Sequence, residues 1–199
     1  MAFRAAIAFI FLAVAVAGCA DNTNNLAARA APPEWPAPPN PMELTRKAGL
    51  TPQPAEFLKY HVHAHLDVFF NGEPVVVPAG IGINPRDPAV ETDPTGVGLA
   101  ATCKQPCISP LHTHQTDGVL HTETKTRAPN TLGQFFSEWD VELSRANVGE
   151  YRDRNTALAF YVDGKAFHGD PDKIELSDGR EIAIVIGSAP DEIPSEFIQ

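Results

Sequence analysis

From His61 to Phe70 the chain alternates strictly between two sets of residues. Val62, Ala64, Leu66, Val68 and Phe70 fall on one parity; His61, His63, His65, Asp67 and Phe69 fall on the other. Side chains of a β-strand point alternately to opposite faces, so this segment commits the chain to a sheet. One face of the strand must cover an apolar core, and the histidines line the opposite face. Asn71-Gly72 follows directly and predicts a type I′ hairpin, with Glu73 to Pro78 as the return strand.

Residues 84–110 are rich in Pro, Gly and Asp and read as a long loop carrying Cys103 and Cys107. Val119, His121 and Glu123 alternate with Leu120 and Thr122, the pattern of a short strand. Thr131 and Gln134 form a capping box at the start of a helix. Leu132, Phe135, Phe136 and Trp139 then recur at helical spacing as one core-facing stripe. Thr156 to Val162 reads as a strand ending in an Asp163-Gly164 turn. Ile174 and Leu176 suggest another short strand, Asp178-Gly179 a turn, and Ile182, Ile184 and Ile186 a final buried strand. The expected fold is α+β: a small mixed sheet with one main helix packed on it. The order is β-grasp-like, with a long Pro/Gly-rich insertion after the first hairpin.

The first 18 residues read as an export signal. Arg4 supplies the positive charge, and Ala5 to Ala17 form an apolar run too short for a permanent membrane span. Val16-Ala17-Gly18-Cys19 matches a bacterial lipobox, which makes Cys19 the expected site of lipid attachment. Residues 19–56 then comprise the lipidated N-terminus, a Pro-rich spacer and a short helix begun by Asn40-Pro41. A globular histidine-rich domain is expected over residues 57–188, and a C-terminal tail over 189–199. The expected location is outside the cytoplasm, as a lipoprotein of the cell membrane or outer membrane whose partner is the bilayer itself. In that compartment Cys103 and Cys107 are most often a disulfide; a thiolate pair for a soft metal is the competing reading. A formal net charge of −10 excludes the electrostatic footprint of a nucleic-acid binder.

Six of the seven histidines lie between His61 and His121. Histidines two apart on a strand point the same way, about 6.6–7 Å apart, and can converge on one metal ion. Three in a row cannot easily do so, because the outer pair is roughly 13 Å apart. Two H-x-H arrays can supply a site between them. His63, His65, His112 and His114 are the expected main ligands, with His61 and His121 as further candidates. Asp67 and Asp117 are candidates to orient an imidazole through its second nitrogen. Asp117-Gly118 also reads as a turn. His168 stands alone and reads as a surface or structural residue.

No H-E-x-x-H, G-x-S-x-G, P-loop or dinucleotide motif is present. No mature-chain Met lies near the histidines, which excludes a thioether copper(I) site. Imidazoles in an oxidising compartment favour Zn or Cu(II).

The block His61-x-His63-x-His65-Leu66-Asp67-Val68-Phe69, with Asn71-Gly72 and Val77 to Ile83, resembles part of a family of exported bacterial and archaeal proteins. Pro110-Leu111-His112-Thr113-His114, Asp117-Gly118, His121 and Thr131 to Phe136 resemble its other blocks. The resemblance implies one domain whose two histidine blocks belong to a single site, and it implies no reaction. The expected role is metal acquisition, buffering or delivery. A metal-dependent enzyme with an open three-histidine site, using Asp67, Asp117 or Glu123 as base, is the first alternative. A metal-free interaction or pH-sensing module is the second.

Overall fold

The computed structural model describes residues 31–197, so the export signal and Cys19 lie outside the described residues. The elements run α1 (Pro41–Lys47), β1 (Tyr60–Phe70), β2 (Glu73–Val75), β3 (Val90–Asp93), β4 (Gly96–Leu99), β5 (Leu111–His112) and β6 (Val119–Thr124). They continue with α2 (Leu132–Trp139), β7 (Leu143–Ser144), β8 (Asn147–Val148), β9 (Tyr151–Arg152), β10 (Leu158–Val162), β11 (Lys165–Ala166), a 3₁₀ turn (Pro171–Lys173) and β12 (Arg180–Ile186). The fold is α+β. Its main sheet has the order β11-β10-β12-β1-β6-β5, and β2 also pairs with β1.

Strand β1 organises this sheet. It runs parallel to β12 from Ala64↔Arg180 to Phe70↔Ile186. Its other edge is shared. Residues Tyr60 to His65 pair with β6, and Val68 to Phe70 pair with β2. Asn71 and Gly72 both have positive φ, 51° and 82°, as a type I′ turn requires. Between the two partners Leu66 N donates to Gly118 O at 3.0 Å. Gly118 sits at φ +77, and a Cβ there would lie 2.6 Å from Leu66 O. Only glycine permits that approach.

The core forms on the face where Ala64, Leu66, Val68 and Phe70 are buried. Helix α2 covers it with Leu132, Phe135, Phe136 and Trp139. Both bonds of its Thr131–Gln134 capping box are made. Ile174 and Leu176 are buried but form no strand. They are tied instead to the entrance of α2, where Leu132 N donates to Ile174 O and Leu176 N to Asn130 O. The Pro-rich insertion carries a hairpin of its own, β3-β4, turned by Asp93, whose side chain accepts from Thr95 and Gly96 N.

The N-terminal boundary expected near Phe57 is not a boundary in the structure. Residues from Pro32 onward belong to one compact unit. Trp35, inside the proline run, packs edge-on against Trp139 with ring centroids 5.7 Å apart, and Trp139 Nε1 donates to Trp35 O. A large aromatic with an open core edge beside it gains more from burial than a spacer gains from freedom. Among the described residues no helix is long and apolar enough to cross a membrane.

Helix α1 is bound to α2 through a buried carboxyl. Thr45 Oγ1 lies 3.0 Å from Pro41 O and 2.7 Å from Glu138 Oε1. One hydroxyl proton cannot serve two acceptors. A neutral Glu138 resolves this: its O–H donates to Thr45, which donates to Pro41. Burial pushes the Glu138 carboxyl up to about 8, against smaller opposing effects of Ser109 and Thr45. A carboxyl raised in the folded state stabilises fully below its unfolded pKa, and that contribution is lost as pH rises toward the folded one. Glu138→Gln should therefore match wild type below pH about 4.5 and exceed it increasingly up to pH about 8, by about 1.4 kcal/mol per pH unit at most. Denaturant melts across that range check this; parallel curves for the two proteins would refute a buried neutral carboxyl.

Candidate metal centre

Strand pairing builds the site. His63 on β1 faces His121 on β6, and His121 faces His112 on β5. Three adjacent strands therefore present three imidazoles in one row on the face opposite the core. One rung along, His61 faces Glu123. His114 lies two residues beyond His112 and returns to the same face.

Two of these rings are fixed by the backbone. His112 Nδ1 lies 2.9 Å from Ser109 O, and His114 Nδ1 lies 2.7 Å from Val97 O in β4. A carbonyl only accepts, so each ring carries a proton on Nδ1, and a neutral ring then has its lone pair on Nε2. The two Nε2 atoms are 3.1 Å apart. Donors bound to one tetrahedral ion at about 2.0–2.1 Å stand about 3.3–3.4 Å apart, so this edge has the size of a coordination edge. His112 is buried, and its ring is pushed down to about 3 by that burial first and by His114 next. It is a neutral imidazole, the form that binds a metal.

His61 Nε2 approaches His63 Nε2 at 2.8 Å and Glu123 Oε1 at 3.1 Å. Glu123 Oε1 is also 3.7 Å from His121 Nδ1. Burial works to raise the Glu123 carboxyl, but His121, His112 and His61 outweigh it, and the net direction is down. Glu123 is thus a carboxylate held among imidazoles. His112, His114, His121 and Glu123 form one group that can hold a metal ion; His61, His63 and His121 form another.

His65 is not brought into either group. Its Nδ1 lies 2.9 Å from Glu181 Oε2, and its Nε2 lies 2.8 Å from Asp117 O. Its register partner in β12 is Glu181. The hydrogen bond to Glu181 is the largest influence on its ring and moves its pKa up. Asp67 lies 3.7 Å from the same ring, so it accompanies His65 and not the five-histidine cluster. Asp117 offers its carbonyl to His65, while its carboxylate accepts from Val119 N as a turn residue does. His65, Asp67 and Glu181 are close enough to form a donor group of their own. His168 stands outside all of these, its carbonyl accepting from Arg145.

Two acids escaped the sequence reading. Glu181 stands in an apolar run and becomes informative only through its register with His65. Glu56 lies 3.7 Å from His114 Nε2, and its carboxyl is pushed up by burial and by Glu123. The disulfide-closed loop positions it. Cys103 and Cys107 are bonded to one another, so neither offers a thiolate to a metal. Cys103 N donates to Pro54 O, and Gln53 exchanges backbone bonds with Ile108.

A groove of about 730 Å³ adjoins His114 and His121 and runs past His65 to Phe197, whose ring stacks on His65 at 5.2 Å. Asp67, Asp117, Glu181 and Glu196 line it. No protein-family model matches the chain, and no curated protein or solved structure is significantly similar to it. What this centre does must follow from its donors and their spacing.

His65→Ala should leave metal binding intact and lower stability by about 1.5–3 kcal/mol, because it strands the buried Glu181 carboxyl. Metal titration and a denaturant melt of the same variant check both halves. Lost metal binding with unchanged stability would return His65 to the ligand set.

Proposed function

We propose that this protein binds a transition metal, Zn or Cu(II), outside the cytoplasm while anchored to a membrane by lipid on Cys19, and that it serves metal acquisition, buffering or delivery. One observation carries the metal reading. Both Nδ1 atoms of His112 and His114 are committed to backbone carbonyls, so in neutral rings two Nε2 lone pairs face each other across 3.1 Å. Such a pair repels unless a cation stands between or beside them. Nitrogen and carboxylate donors without thiolate suit Zn or Cu(II). The acidic groove beside them favours a cation over an anionic substrate, which supports binding and transfer over hydrolysis of a phosphate ester. The anchor reading is supported by the lipobox sequence ending at Cys19, and the family resemblance of the two histidine blocks agrees with an exported protein.

The chain, purified in mild detergent without affinity tag or chelator, should carry metal by elemental analysis. Free metal at about 100 times the dissociation constant should stabilise it by about 2.7 kcal/mol, and chelator should reverse this. His112→Ala with His114→Ala should abolish binding at the His112–His114 edge and so lower the bound-metal count, whereas His168→Ala should leave it unchanged; equal binding in both would sink the site. Separately, Cys19→Ala should move the protein from the membrane to the soluble fraction and remove a diacylglycerol mass from its N-terminus. Unchanged membrane partition would refute the anchor.

A further inference from the structure

The centre is larger than one ion needs. The two Nε2 pairs, His112–His114 at 3.1 Å and His61–His63 at 2.8 Å, are separate coordination edges. Donors of one ion with bonds of about 2.0–2.1 Å can be no more than about 4.2 Å apart, even directly opposite each other. The donors fall into two groups, and the residue in common is His121. Its ring lies between the pairs, stacked on His112 at 7° and 5.4 Å and on His61 at 25° and 6.3 Å. Its Nδ1 is buried without a hydrogen-bond partner among the described residues. Glu123 is shared as well. It belongs to the first group, yet its Oε1 lies 3.1 Å from His61 Nε2 of the second, and its Oε2 is buried without a hydrogen-bond partner among the described residues.

We propose that this is a two-ion centre: His112 and His114 hold one ion, His61 and His63 hold the other, and the His121 ring bridges them with Glu123 alongside. The proposal rests on the metal-binding reading above. An imidazole has two nitrogens, so one ring can serve two ions. The neutral ring carries one proton, which the second ion displaces to solvent as its bond to nitrogen forms. The bridge thereby becomes an imidazolate between two divalent ions. A carboxylate beside it offsets part of the added positive charge.

The test is a titration of the full-length chain in detergent, with Zn(II) and Cu(II) separately. Bound ions are counted by elemental analysis, and the Cu(II) series is followed by electron paramagnetic resonance. Two ions per chain are expected. The copper signal should grow through the first equivalent and collapse through the second, because two unpaired electrons couple through the shared ring. His61→Gln with His63→Gln should bind one ion with an ordinary uncoupled signal, as should His112→Gln with His114→Gln. His121→Gln should abolish the coupling. Folding of each variant is checked by circular dichroism, and should a double variant not fold, His121→Gln and the wild-type ion count decide. Saturation of wild type at one ion overturns the two-ion centre, and two ions without coupling overturn the His121 bridge; both leave metal binding standing. No bound ion of either kind overturns the metal-binding reading itself.

Discussion

The centre depends on the register between β1 and β6. An antiparallel ladder sets opposed residues on the same face, and here it opposes His63 to His121 and His61 to Glu123. A slip of β1 by one residue would send its imidazoles to the core and its core aliphatics to water. The core itself therefore guards the site. Burial of Ala64, Leu66 and Val68 on one face fixes which histidines can meet on the other. β5 extends the row by one strand, and its short length leaves His114 free to fold back toward His112.

The second constraint is the change of partner along β1. β6 leaves at His65 and β2 begins at Val68. The gap is filled by the Asp117-Gly118 turn, which presses against Leu66 and His65. This change divides one strand's histidine row into two environments. Before it, His61 and His63 sit among other imidazoles and Glu123. At it, His65 is enclosed by Glu181 and the turn carbonyl, and both of its nitrogens face acceptors.

Much of this was legible in the sequence. The alternation from His61 to Phe70, the Asn71-Gly72 turn, the capping box and the aromatic stripe of α2 are local signals, and the structure realises each one. Spacing also marked the two H-x-H arrays. It could not say which neighbours on the first array converge, because His61–His63 and His63–His65 have the same separation. Pairing with β6 and β12 decides that, and it is a tertiary fact. Trp35 was hidden for a related reason. A proline-rich stretch reads as a spacer, and only the open edge of Trp139 turns it into core. Glu56 had no periodic context, and it reaches the histidines because the loop closed by Cys103 and Cys107 holds Pro54 and Gln53.

The backbone anchoring of His112 and His114 has a consequence for any protein that must tell the loaded form from the empty one. Both rings already stand in a ligating pose, held by the carbonyls of Ser109 and Val97. Loading such a site costs little reorganisation and moves little chain. Occupancy by a metal would then leave almost no mark on the outline of the molecule. What would change is the local potential, with positive charge added at the edge of a groove lined by Asp67, Asp117, Glu181 and Glu196. A partner would sense the filled state by its electrostatics and not by its shape.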